Sequence, residues 1–128
     1  MERQLISSGA KWESVVGYSR AIRVGNLIEI SGTTATDGDR VQAAGDVYGQ
    51  TVYILEKIRQ VLQEAESRLE DVIRTRMYVT DISQWELVAK AHGKFFGTIR
   101  PVTTMVEVRR LIQEDLLIEI EVTAIISP

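Results

Sequence analysis

The chain has 128 residues, 45% of them hydrophobic and 26% charged, which fits one globular domain spanning residues 1–128 and able to bury roughly two-thirds of its unfolded surface. It has no cysteine and one histidine, His92, which excludes disulfides, thiolate metal sites and cysteine nucleophiles and argues against a histidine-rich metal site or a Ser–His triad. A formal net charge of -3 supplies no global positive field for nucleic acid, and no apolar run approaches membrane-spanning length, so neither partner is expected. No basic segment leading into an apolar stretch opens the chain, which makes the cytoplasm the expected location.

The opening "RQLISS" is a short strand candidate, and "GAKWESVVG" reads as a loop. "YSRAIRV" and "NLIEISGTTA" then flank Gly25-Asn26, which predicts a β-hairpin. "TDGDR" carries turn chemistry; its Asp37-Gly38-Asp39 cluster is too short for a calcium loop. From Asp46 the period lengthens. Val47, Thr51, Ile54, Ile58, Val61, Leu62 and Ala65 recur at three and four residues and form one apolar helix stripe. "VIRTRMYVTD" returns to period two, with Ile73, Thr75, Met77 and Val79 on one side and Val72, Arg74, Arg76 and Tyr78 on the other. "ISQWELVAKAHGKFF" predicts a second helix, capped by Asp81 or Ser83 and stopped by Gly97. "RPVTTMVEV" and "IEIEVTA" supply two final strands.

The order β-β-β-α-β-α-β-β predicts an α+β domain: a mixed β-sheet with two helices on one face. Those helices should cover Val106, Val108, Ile118, Ile120, Val122 and Ala124. The opposite face should carry Glu107, Glu119, Glu121, Arg74 and Arg76 beside Met105, Val72 and Leu27. Apolar and ion-pairing residues mixed on one surface suit a subunit interface.

Few residues announce chemistry. Gly45 and Gly49 lack the spacing of a nucleotide-binding loop. His92 reads as a packed helix histidine, with pocket lining as the alternative, and Trp12 and Trp85 read as packing residues. Arg100 precedes Pro101, where extended backbone is expected, and could hold a carboxylate at the mouth of a strand. Glu119, if partly buried, would gain a raised pKa and could orient a water.

Taken together, "YSRAIRVGNLIEISGTTA", "VIRTRMYVTDISQW", "KFF" and "RPVTTMVEVRRL…LLIEIEVTAI" resemble the RidA/YjgF family, also called the reactive intermediate deaminase or L-PSP endoribonuclease-like family. The resemblance implies a chorismate-mutase-like fold and a homotrimer with a barrel-like core and a small-molecule cleft between each pair of subunits. It implies no cofactor and no metal. Active deaminase members hydrolyse 2-imino acids such as 2-iminopropanoate to 2-keto acids and ammonia. The family's cleft tyrosine falls on Tyr18, its Ser-Gly pair on Ser31 and Gly32, the following polar residue on Thr33, and its water-positioning glutamate on Glu119. The arginine that holds the substrate carboxylate falls on Thr103.

A threonine supplies neither the charge nor the planar fork of a guanidinium. The resemblance therefore implies a metabolite-binding trimer in which classical 2-imino acid deamination is not expected, and whose cleft suits a neutral, amine-bearing or hydroxylated ligand. The alternative is an imine or enamine deaminase using Glu119 and water, with Arg100 as substitute carboxylate binder. A ribonuclease, the third class, is disfavoured by the acidic balance and the missing His/Lys pair.

Overall fold

A computed structural model describes residues 1–127. Strands β1 (Arg3–Ile6), β2 (Ala21–Val24) and β3 (Leu27–Thr34) form an antiparallel meander, with helix α1 (Lys11–Val16) between the first two. Gly25, at φ +61, takes the first central position of the two-residue turn joining β2 to β3, where a left-handed backbone matches the twist of the paired strands. A two-residue ribbon, β4 (Thr36–Asp37) with β5 (Arg40–Val41), leads into helix α2 (Val47–Glu64). Strand β6 (Val72–Val79), helix α3 (Trp85–Phe96), β7 (Val102–Glu107) and β8 (Ile118–Ile125) complete the chain.

The main sheet runs β1-β2-β3-β8-β6-β7. Only the β6–β7 pair is parallel, joined by α3 as crossover, so the α+β fold with a mixed sheet stands as expected. The helix α2 is capped by Asp46, whose carboxylate accepts from Gly49 N at 2.9 Å, and presents Ile54, Leu55, Ile58 and Leu62 to the sheet. Val88, Phe95 and Phe96 of α3 join them over Ile28, Ile30, Met77, Val79, Ile118, Ile120, Val122 and Ala124. Both long helices therefore lie on one face, and the hydrophobic effect of that single layer holds the domain together.

Four local expectations are corrected. "KWESVV" is a helix, not a loop, because Glu13 anchors it: the buried carboxylate accepts from Ser7 Oγ at 2.8 Å, Ser8 N at 3.0 Å and Ser8 Oγ. A bulge in β6 between Val72 and Arg74 buries Val72 and turns Ile73 outward, the reverse of strict alternation. In β7 the parallel register sets Thr75 beside Thr103 and Met77 beside Met105, so Thr103 and Met105 face the helices while Val106 is exposed. At Arg100 the backbone is left-handed rather than extended, φ +59, and its N–H donates to Phe96 O at 2.9 Å, ending α3. Among the described residues no helix is long and apolar enough to cross a membrane.

Candidate functional site

Glu119 and the bulge in β3 build the site. Ile30 pairs with Val122 and Thr33 with Ile120, so Ser31 and Gly32 together stand against the single residue Glu121. The extra residue inverts the faces beyond it. Thr33, 1% exposed, turns toward the helices and donates to Ser31 O at 2.9 Å, while Thr34, paired with Glu119, stays on the open face. A Cβ built on Gly32 would lie 2.0 Å from Glu119 Oε2 and 3.2 Å from its Cγ. Only a glycine lets the carboxylate rest there. Gly32→Ala is thus expected to push the Glu119 side chain out of place and weaken any ligand that uses it by about tenfold or more, roughly the worth of one charge-assisted hydrogen bond, as read by titration calorimetry.

This carboxylate borders a cleft of about 410 Å³, a volume suited to a small molecule. Tyr18, Ser31 and Gly32 line it with Glu119, as do Trp12 from α1 and Ile112 from the segment before β8. Burial raises the pKa of Glu119 above the ordinary carboxylate range; the Arg20 charge opposes this and the neighbouring Glu121 adds to it. A half-buried carboxyl so perturbed can accept a proton from water or a ligand nearer neutrality than a surface glutamate can. Ser31 is fixed by its backbone, Ser31 N to Arg20 O at 2.9 Å, and its hydroxyl donates to Ser19 O at 2.7 Å, leaving the oxygen free only to accept.

The structure thus brings together Tyr18, Ser31, Gly32 and Glu119. It does not bring Thr33, Arg100 or Thr103 to the cleft of their own chain. Thr33 is on the helix side for the reason just given. Thr103 hydrogen-bonds Thr75 Oγ1 at 2.6 Å, and Thr75 in turn meets His92 Nε2 at 2.9 Å. His92, its pKa lowered by burial and its ring 4.7 Å from that of Phe96, is therefore a packed helix histidine. Arg100 is exposed in the turn after α3.

Arg20 and Lys57 are among the cleft residues to which sequence reasoning assigned no site role, and Trp12, expected to be a packing residue, also lines the cleft. Arg20 is 8% exposed and its Nη2 donates to Gly32 O at 2.9 Å, which ties the bulge to the start of β2. Lys57, from α2, donates to Thr34 O at 3.0 Å and Thr36 O at 2.9 Å. Burial and the Arg20 charge hold its pKa below the usual lysine value, with Asp37 pulling the other way. Among the described residues no group of three or more His, Asp or Glu side chains is placed to hold a metal ion.

A family model described as Endoribonuclease L-PSP matches residues 8–126. The chain belongs to the RidA/YjgF (L-PSP) family. It is similar to the crystal structure of Rv2704 from Mycobacterium tuberculosis, described as a member of the highly conserved YjgF/YER057c/UK114 family, with 47% identity, a TM-score of 0.90 and coverage of 98% of this chain and 100% of that one. A RutC family protein of Pyrococcus abyssi is 32% identical over 97% of this chain and 98% of its own length. The 3-aminoacrylate deaminase RutC of Acinetobacter baylyi is 27% identical over 94% and 95%. This RidA/YjgF chain shares the family fold over nearly its whole length, and some of its relatives carry deaminase names.

Proposed function

We propose that this chain is a homotrimeric small-metabolite-binding protein, with ligand held beside Glu119 in clefts completed between copies. The observation that carries the reading is the Ser31-Gly32 bulge, whose missing side chain admits the half-buried Glu119 carboxylate at the wall of a ligand-sized cleft. Trimer formation is supported by the sheet face away from the helices. There Leu27, Ile73, Val102, Val106 and Ile125 are exposed beside Arg74 and Arg76, and Tyr78 Oη donates to Glu121 Oε1 at 2.6 Å. Thr103 and Arg100 lie on the edge strand β7 and its lead-in, so they can serve a cleft only where two copies meet. Thr103 there replaces the family's carboxylate-holding arginine.

A second reading, an imine or enamine deaminase using Glu119 and water, is favoured by the raised pKa of Glu119 and by similarity to a protein named 3-aminoacrylate deaminase. Cytoplasmic location is part of the proposal for either. Freshly generated 2-iminopropanoate separates the two readings. A metabolite-binding protein releases ammonia no faster than buffer, yet gains melting temperature from small acids, alcohols or amines in a thermal-shift screen and sediments as a trimer. Ammonia release clearly above buffer would replace the binding reading with the deaminase one, and its loss in Arg100→Ala would mark Arg100 as the substitute carboxylate binder of that reading.

A further inference from the structure

Thr103 is not an isolated hydroxyl. Its Oγ1 lies 2.6 Å from Thr75 Oγ1, and Thr75 Oγ1 lies 2.9 Å from His92 Nε2. The parallel register of β6 and β7 sets the two threonines side by side, and α3 brings His92 to them. Thr75 has no exposed surface, the imidazole is half-buried, and Thr103 is exposed on the edge strand. A ring on α3 is thus connected, through one buried hydroxyl, to a hydroxyl that can meet a ligand.

A hydroxyl has one proton to give. Thr75, buried between two polar neighbours, donates to one and accepts from the other. Two arrangements satisfy the chain. With the ring proton on Nε2, His92 donates to Thr75, Thr75 donates to Thr103, and the Thr103 proton points outward. With the ring proton on Nδ1, Nε2 accepts from Thr75, Thr75 accepts from Thr103, and Thr103 offers only lone pairs outward. Among the described residues Arg20 Nε is the one buried side-chain nitrogen or oxygen without a partner, so Nδ1 of the half-buried His92, bonded to no protein atom, reaches water and can exchange its proton there.

The charged side chains of the neighbouring elements are engaged elsewhere. On α2, Arg59 pairs with Glu56 and lies over the Phe95 ring. On α3, Lys90 lies over the Tyr48 ring, and Glu86 and Lys94 are exposed, as is Arg100 beyond the helix. Arg74 and Arg76 of β6 alternate with buried Thr75 and so lie on the opposite sheet face, and Glu107 of β7 accepts from Ile82 N. Burial lowers the His92 pKa, and no neighbouring charge adds to the effect.

We propose that His92, acting through Thr75, sets whether Thr103 offers a ligand a proton or a lone pair, and that this makes His92 a specificity-determining positioning residue for a subsite suited to an uncharged hydroxyl, carbonyl or amide. The inference rests on the reading above that Thr103 serves a cleft where two copies meet. A neutral ring adapts to either polarity. A protonated ring holds its Nε2–H toward Thr75 and leaves Thr103 able only to donate. Below the His92 pKa, which lies under the ordinary histidine value, the subsite therefore keeps carbonyl acceptors and turns away groups that can only donate.

His92 is the single histidine, so its ring nitrogens give one unambiguous set of signals by nitrogen-15 NMR. In ligand-free Thr103→Val the Thr75 proton has only Nε2 left to meet. The neutral ring is expected to move toward the Nδ1–H form by about threefold to tenfold, the worth of one hydrogen bond between neutral groups, and the His92 pKa to fall. If tautomer ratio and pKa both stay unchanged, the three groups are not coupled and the inference is overturned, whatever the cleft binds. In the wild type the probes are acetone, which only accepts, and pyrrole, which donates its N–H. Both are expected to shift the Thr103 methyl and the Gly32 amide. Acetone should draw the ring toward Nε2–H and pyrrole toward Nδ1–H, and pyrrole alone should lose affinity as His92 takes up its proton. Probes that shift Gly32 while Thr103 and the ring stay still leave the cleft reading standing and remove Thr103 and His92 from it. If neither probe moves Gly32 or Thr103, the cleft reading falls and the ligand side of this inference falls with it, while Thr103→Val judges the chain of hydrogen bonds by itself.

Discussion

Gln50→Leu is expected to lower the melting temperature by roughly 10 °C or more, a loss of about 3 kcal/mol for a domain of this size. Gln50 sits in α2 with no exposed surface. Its Nε2 donates to Asp115 O at 2.9 Å and its Oε1 accepts from Leu117 N at 2.9 Å. One amide thus pairs two backbone groups of the segment that delivers the chain into β8. Leucine fills nearly the same volume, so the cost is not a cavity. It is the stranding of a buried N–H and C=O, each worth about 1–3 kcal/mol when left unmade. The same segment carries Ile112 and Gln113 to the cleft, so ligand affinity should fall along with stability. Thermal unfolding and amide hydrogen exchange at Leu117 check this. A drop under about 3 °C with Leu117 still protected would show that water replaces the glutamine.

Much of the fold was legible because two periods dominate it. The helix stripes of α2 and α3 and the alternation of β8 each bury a face large enough to fix which residues point inward. Legibility failed where the buried face is narrow. In β7, Val102, Thr103, Thr104, Met105 and Val106 offer no clear alternation, and the register with β6 rather than hydrophobicity decides that Met105 points toward the core. In β6 and β3 a bulge adds one residue and inverts everything beyond it, a feature that a strict period of two cannot register. Helix α1 exists because Ser7 and Ser8 meet Glu13, a contact of side chains with no local pattern to announce it.

The candidate site divides in the same way. Tyr18, Ser31 and Gly32 were reached through resemblance alone, and Glu119 also as a carboxylate that burial would perturb, since no spacing rule links a residue of β3 to one of β8 almost ninety positions later. Thr33 was misplaced by one residue of bulge. Arg20 was passed over because "YSRA" looks like any amphipathic strand start; only the folded chain buries its guanidinium against Gly32. Lys57 sits on the helix that the apolar stripe identifies, yet its part in the cleft depends on where the β3–β4 corner lands.

Glu119→Gln is expected to separate stability from chemistry. Burial outweighs the attraction of Arg20, so the folded-state pKa of Glu119 lies above its unfolded value. Between those two values the native state holds a proton that the unfolded state has released, and stability declines as pH rises through the window. Above the folded pKa the charged carboxylate is a standing penalty on the native state. Glutamine removes it while keeping the shape beside Gly32. The variant should therefore melt higher than wild type at neutral pH, and the difference should vanish as pH falls below the ordinary carboxylate range. The same change removes the half-buried carboxylate of the cleft that the deaminase reading uses to take a proton from an attacking water. Any imine hydrolysis above the buffer rate should drop by about 10²- to 10⁴-fold, the usual worth of a positioned general base. Paired melting curves across pH and the ammonia assay read the two effects independently. A variant that melts lower at neutral pH would mean that the Arg20 charge, not burial, governs Glu119, and that the carboxylate serves to hold Arg20 in the cleft.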